Sequence, residues 1–211
     1  MEQMRELEDE PWSLSKTPGI QMTTQKRHSM SDPVAAWHKE HEHFSTVLSL
    51  LRRELDVFQA GGQPGYGLAL EIISWLRDFG DTFHHPREDE AFRRLAQRRP
   101  DRELPLARLR QEHVVIAQAG EELRLLLEKA VNGEVTPRSS IEVAAATYLV
   151  YYVNHLAAEE EDVLPLAAKE LTPEDWAAVR DAAPERHEPP FGDATEPRFH
   201  ELRRHILAAG G

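Results

Sequence analysis

Between residues 34 and 58 the apolar positions step by three and four without a break: Val34, Trp37, Phe44, Leu48, Leu51, Leu55 and Phe58, with His41 in the same row. That period is one face of an α-helix, and a row this long needs other apolar surfaces to cover it. The chain supplies three more. Ser31-Asp32-Pro33 is a helix start, a capping side chain followed by proline in the first turn, and the glycine-rich run 60–65 is a stop. A second helix is expected over about 67–98, with Ile73, Leu76, Gly80, His84, Glu88, Phe92 and Leu95 on one side. Pro86 lies inside it and should kink or loosen it. The third begins near Leu104 and Pro105, carries Leu106, Leu109, His113, Ile116, Gly120, Leu123, Leu127 and Ala130, and ends at Asn132-Gly133. The fourth is expected to be capped by Thr136-Pro137 and to run to about Lys169, with Ile141, Ala144, Tyr148, Tyr151, His155, Glu159, Asp162 and Leu166 as its inner row.

No strand pattern competes, so the fold class is all-α. Short loops make successive helices antiparallel neighbours, which gives an up-down-up-down four-helix bundle over residues 31–170. Thr172-Pro173-Glu174-Asp175 opens a short further helix, 183–195 reads as loop, and a last short helix is expected from about 197 to 208. Residues 171–211 are thus expected to pack on the bundle as short helices and loop. Residues 1–30 are polar and aperiodic and read as a flexible tail.

The inner rows are not wholly apolar, and that is their information. His155 and Glu159, four apart, project from one face one turn apart, and so do His84 and Glu88. A carboxylate buried without a partner costs several kcal/mol, roughly, so something must compensate it. Helix lengths show where these residues meet. About 18 residues separate His41 from the end of its helix and about 17 separate the next start from His84, both ~26 Å. His113 and His155 are matched in the same way about the third loop. Four imidazoles and two carboxylates therefore fall at one level of the core, as a metal site requires. With no cysteine in the chain, only His, Asp and Glu could hold the ion. The candidate ligands are His41, His84, Glu88, His113, His155 and Glu159.

Other polar residues compete for roles. His85 stands three residues before Glu88 and is the alternative ligand, although a helical neighbour of His84 is turned about 100° away. Tyr151 and Tyr152 lie one turn before His155, where a phenolate could bind a metal ion or a hydroxyl could simply hydrogen-bond in the core. Glu40 and Glu112 precede His41 and His113 and suit hydrogen bonds to ligand imidazoles. His43 should face solvent.

The order His41, His84-His85-Pro86-Arg87-Glu88, His113 and His155-Leu156-Ala157-Ala158-Glu159 resembles the H–HxxxE–H–HxxxE pattern of hemerythrin-like (HHE cation-binding) domains. Phe83 to Glu90 and Glu159 to Pro165 are similar to the second- and fourth-helix signatures of the bacterial members. The resemblance implies a non-haem di-iron centre, with Glu88 and Glu159 bridging two irons and the histidines capping them. Manganese and zinc suit the same donors but are not what the resemblance implies. Oxygen-carrying members supply a fifth histidine a turn after the third-helix ligand, where this chain has Ala117 beside Ile116. That departure leaves an open position or a substitute ligand on one iron.

The expected function is to bind or sense a small oxidant such as dioxygen, nitric oxide or peroxide. The alternatives are an enzyme turning over peroxide or nitric oxide, and an iron-dependent structural or regulatory domain with a protein partner for signalling. A net charge of -12 argues against nucleic acid and anionic membrane as partners. No apolar run approaches the ~20 residues of a membrane span, and the first thirty residues hold no apolar signal core. A cytoplasmic location is the resulting expectation.

Overall fold

A computed structural model describes residues 32–183, 191 and 196–209. The tail expected over residues 1–30, and most of the 183–195 loop, lie outside the described residues. Helix α1 (Pro33–Gln59) starts where the Asp32 carboxylate accepts from the Val34 amide at 3.1 Å, and it stops before Gly61, whose φ is +82°. The second long helix is interrupted: α2 (Tyr66–Leu76), a π-helical stretch (Arg77–His84), then α3 (His85–Arg98). A 3₁₀ turn (Pro100–Arg102) leads into α4 (Glu103–Val131), which ends before Gly133 at φ +76°. The fourth repeats the second: α5 (Arg138–Ala158), a π-helical stretch (Glu159–Val163) and α6 (Leu164–Glu170). Thr172 and Asp175 form a reciprocal cap on α7 (Pro173–Asp181). A 3₁₀ turn (Pro197–Phe199) precedes α8 (His200–Ala209).

The four long units close into a ring, α1 against α2 and α5, and α4 against α2, α3 and α5. The apolar core has two parts. One contains Phe44, Leu48, Leu51, Ile72, Leu76, Ile116, Leu123 and Leu149, and the other Trp37, Phe92, Leu95, Leu106, Leu109 and Leu164. Along every helix a polar layer falls between them in sequence: His41, His84 and Glu88, His113, and His155 and Glu159, all buried. The short helices close the two apolar parts. Trp176 of α7 meets Trp37 edge-on at 5.2 Å, and Phe199 and Leu202 insert into the first part, the Leu202 amide donating to Glu71. Where α4 and α5 cross, Gly120 permits a close approach, since a Cβ there would stand 3.0 Å from the Tyr148 ring, tighter than an ordinary contact.

Three expectations need correction. Tyr152, fully buried, takes the inner position assigned to Tyr151, which is 44% exposed. Both lie three or four residues from Tyr148, and the sequence row alone does not choose between these steps. Asp162 is exposed for the same reason, since the π-helical stretch turns Val163 and Leu164 inward instead. Thr136 does not cap α5; its hydroxyl donates to the Glu134 carbonyl and Pro137 occupies the cap. Among the described residues, no helix is long and apolar enough to cross a membrane.

Candidate metal centre

Each long helix contributes to the polar layer from its middle, where packing on both sides fixes the backbone. His41 comes from α1, His84 and Glu88 from either side of the junction between the first π-helical stretch and α3, His113 from α4, and His155 and Glu159 from either side of the junction between α5 and the second π-helical stretch. The structure brings all six together, none more than 5% exposed.

The carboxylates occupy the middle. Glu88 turns Oε1 to His41 Nε2 (3.2 Å) and His84 Nε2 (2.9 Å), and Oε2 to His113 Nε2 (3.4 Å). Glu159 does the converse, with Oε2 toward His41 Nε2 (3.7 Å) and Oε1 toward His155 Nε2 (2.9 Å) and His113 Nε2 (3.6 Å). Each carboxylate thus shows one oxygen to the His41/His84 pair and the other to the His113/His155 side.

The outer nitrogens are equally ordered. His41 Nδ1 faces Glu160 at 2.7 Å, His84 Nδ1 faces Glu40 at 2.5 Å, His113 Nδ1 faces Asp89 at 2.9 Å and His155 Nδ1 faces Glu112 at 3.2 Å. An ionised carboxylate only accepts, so each Nδ1 carries the proton and donates, and each Nε2 is left to present a lone pair inward. Carboxylates on the far nitrogens of ligand imidazoles orient the rings and raise their basicity. Glu40 and Glu112 have the kind of role the sequence suggests but serve the next helix, His84 rather than His41 and His155 rather than His113. Glu160 and Asp89 are missed by sequence reasoning. Each follows a seam glutamate, and their only signal is that second acid after HxxxE.

His85 is also in the layer, 4% exposed, its ring stacked on His113 at 4.2 Å. The 100° separation expected from an α-helix fails because the residues before it are π-helical. One donor atom from each of His85, Glu88, His113 and His155 lies within 4.8 Å of the others, and the same holds for His41, His84 and Glu88. Among the described residues, the remaining histidines stay apart from both groups. His43 stacks on Phe191 at 3.9 Å and is only partly exposed, contrary to the solvent-facing expectation. His38, exposed, pairs with Glu160. Tyr152 reaches His85 Nε2 with its hydroxyl at 3.4 Å.

The bare side chains do not satisfy one another. Five inward atoms have no hydrogen-bond partner: Glu88 Oε2, both Glu159 oxygens, and Nε2 of His113 and His155. The Nε2 atoms of His41 and His84 stand 3.1 Å apart, two lone pairs that repel unless a proton or cation lies beside them. Burial disfavours charge on His84, yet Glu88 and Glu40 override it and lift its pKa to about 9. Burial likewise opposes, and neighbouring carboxylates outweigh, the rise at His113. Glu88 runs the other way, held well below the usual carboxylate range by the surrounding imidazoles despite burial. His85 is the exception, pushed well below its usual value by burial and by the positive field of His113. The layer therefore attracts positive charge wherever it can obtain it, and a cation among these oxygens and nitrogens meets each unpartnered atom. The donor set fits a metal of intermediate softness.

Phe44 packs edge-on to His84 at 4.7 Å, Trp37 stands 6.4 Å from the same ring, and Phe92 lies 5.8 Å from His113. These walls keep bulk water from the layer.

Comparison with known proteins agrees with the donor chemistry. The family described as hemerythrin, HHE cation binding domain, matches residues 32–167, which begin at the cap of α1 and end in α6. No curated protein sequence matches the chain. The match spans every residue of the polar layer and all four long helical units, and the chain belongs to the hemerythrin HHE cation-binding family.

Proposed function

We propose that the polar layer holds two metal ions, iron by family, bridged by Glu88 and Glu159, and that the pair binds or senses a small oxidant such as dioxygen, nitric oxide or peroxide. His41 and His84 would hold one ion and His113 and His155 the other. The observation that carries this reading is the division of each carboxylate, one oxygen toward each histidine pair. A mononuclear site would need no such division. Iron bound there would supply redox chemistry to a diatomic or peroxide ligand.

The chain's own residues do the rest. Glu160, Glu40, Asp89 and Glu112 hold the rings in one tautomer and orientation, so little rearrangement accompanies loading. Phe44, Trp37 and Phe92 make the surroundings apolar, which favours small neutral guests over bulky or charged ones. The surface is acidic overall and suits a basic protein partner better than nucleic acid.

The test is elemental analysis of protein purified without chelators from iron-replete cells, followed by optical spectra in both redox states with dioxygen, nitric oxide and peroxide. About two irons per chain and a ligand-dependent visible band are expected. Well below one metal per chain, with no recovery on adding ferrous iron, would sink the metal pair. Two metals with spectra indifferent to all three ligands would remove the oxidant from the reading. Steady-state consumption of peroxide or nitric oxide would make the protein an enzyme instead.

A further inference from the structure

We propose that His85 is a fifth imidazole ligand of the metal pair, on the His113/His155 side, taking the role for which α4 offers only Ala117. The proposal rests on the two-metal reading above and adds a residue to it.

His84 and His85 are adjacent, and in a regular α-helix adjacent side chains diverge by about 100°. Here both are buried, 0% and 4% exposed. The backbone gives the reason. Residues Arg77–His84 are π-helical, and the His85 amide donates to the Gly80 carbonyl five residues back. The wider turn holds an extra residue and reduces the rotation from one side chain to the next. His84 then points toward His41 while His85 swings to the opposite half of the same layer.

Its surroundings there are those of a ligand. The His85 ring lies parallel to His113, 4.2 Å away at 11°, and edge-on to His155 at 6.0 Å and 85°. A donor atom of His85 falls within 4.8 Å of donor atoms of Glu88, His113 and His155. Its Nδ1 faces the Asp81 carboxylate at 3.5 Å, an ion-pair distance without the hydrogen bond that the other four make. All five buried imidazoles of the layer thus have a carboxylate on Nδ1, each from a different residue. The other nitrogen of His85, Nε2, meets the Tyr152 hydroxyl at 3.4 Å. Gly80 makes room for the Tyr152 hydroxyl, since a Cβ there would sit 2.7 Å from its oxygen, and it lies in ordinary contact range of the His85 ring.

A donor count states the consequence. The His41/His84 side has two imidazoles and one oxygen from each bridging carboxylate. The His113/His155 side has the same four, and His85 makes five. The two metal positions are then unequal, the second held more tightly than the first.

Cobalt(II), titrated into the metal-free full chain and followed by its visible absorption, reads this directly. The wild-type protein is expected to take two ions per chain in two steps of different affinity. His85→Ala should weaken the tighter step at least tenfold and change the band intensities, since a donor is lost from one ion. His85→Gln, whose amide refills the space, should show the same loss and guards against a folding artefact, with helicity checked by circular dichroism. Added imidazole should restore the tighter step in His85→Ala. Tyr152→Phe should leave both steps intact. Wild-type protein binding two ions with both His85 variants titrating identically to it would overturn the proposal. If His85→Ala and Tyr152→Phe then lowered the melting temperature alike, His85 would be a core residue satisfied by the Tyr152 hydroxyl. Wild-type protein failing to bind two ions would overturn the two-metal reading itself, and the fifth ligand with it.

Discussion

Stripping the metal is expected to lower the melting temperature by about 10 °C while leaving the helices in place. The magnitude follows from the polar layer. Five of its inward atoms lack a protein partner, and each buried unpartnered group costs ~1–3 kcal/mol. Together that is roughly 5–15 kcal/mol, as large as the whole stability of an ordinary domain. The metal-free chain cannot carry that load unrelieved, so protons must enter, which is the direction in which His41, His84 and His113 are already shifted. The net gain on loading is therefore smaller than the sum. Metal held at a thousandfold excess over its dissociation constant stabilises the folded form by ~4 kcal/mol. At 2–4 °C per kcal/mol for a chain of this size, the shift is about 8–16 °C. The bundle should survive without metal, because the two apolar clusters on either side of the layer are complete in themselves. Paired melts followed by circular dichroism, before and after chelation, make the measurement. Acidification should move the loaded curve toward the stripped one, since protons and metal compete for the same nitrogens. Coincident curves on a sample shown to have held metal would refute the reasoning, and so would complete loss of helicity on chelation.

Three substitutions test other parts of the structure. His113→Ala should lose at least one metal per chain by elemental analysis, whereas His43→Ala, whose ring stacks on Phe191 outside the layer, should lose none. Glu40→Ala removes the acceptor shared by His84 and the buried Arg87 guanidinium, and should cost ~3–5 kcal/mol in chemical denaturation and 10–100-fold in metal affinity; Glu40→Gln should cost less on both counts. Asp175 is held at a pKa of about 2, against some burial, by the Thr172 amide, Arg94, the Thr172 hydroxyl and Arg98. A depressed carboxylate contributes stability above its unfolded value and loses it as pH falls through the folded one, so in chelated protein Asp175→Asn should cost about 1–2 kcal/mol at pH 7, after solvent screening of the arginines, and almost nothing near pH 2.

The four helices and their seam residues were legible because burial repeats at the helical period, and loop positions then follow from glycine and proline. His41, His84, Glu88, His113, His155 and Glu159 could be placed at one level by counting residues alone. What could not be read was adjacency across helices. Glu40 follows Lys39 and precedes His41 in sequence, yet its carboxylate belongs to His84. Glu112 precedes His113 and belongs to His155. Nothing in a single helix's periodicity says which neighbouring ring an outward-leaning acid will meet. Nor does a row of three- and four-residue steps distinguish Tyr151 from Tyr152, and the wrong one of the two satisfies it equally well.

The deepest error of phase has a physical source that the sequence does display. Both π-helical stretches lie in the two helices that carry HxxxE, and each stops two residues short of a proline, Pro86 after His84 and Pro165 after Val163. A proline inside a helix has no amide to donate, and its ring crowds the carbonyl four residues back, here that of Thr82 or Glu161. Widening the preceding turn relieves that crowding without breaking the helix. The irregularity brings adjacent residues into one layer at both places. His84 and His85 are both buried in it, and Glu159 points to its middle while Glu160 reaches His41 Nδ1 from outside. A regular helix would give the centre one of each pair. The same two prolines that interrupt the seams thus let two helices supply both the inner groups of the centre and part of the shell that orients them.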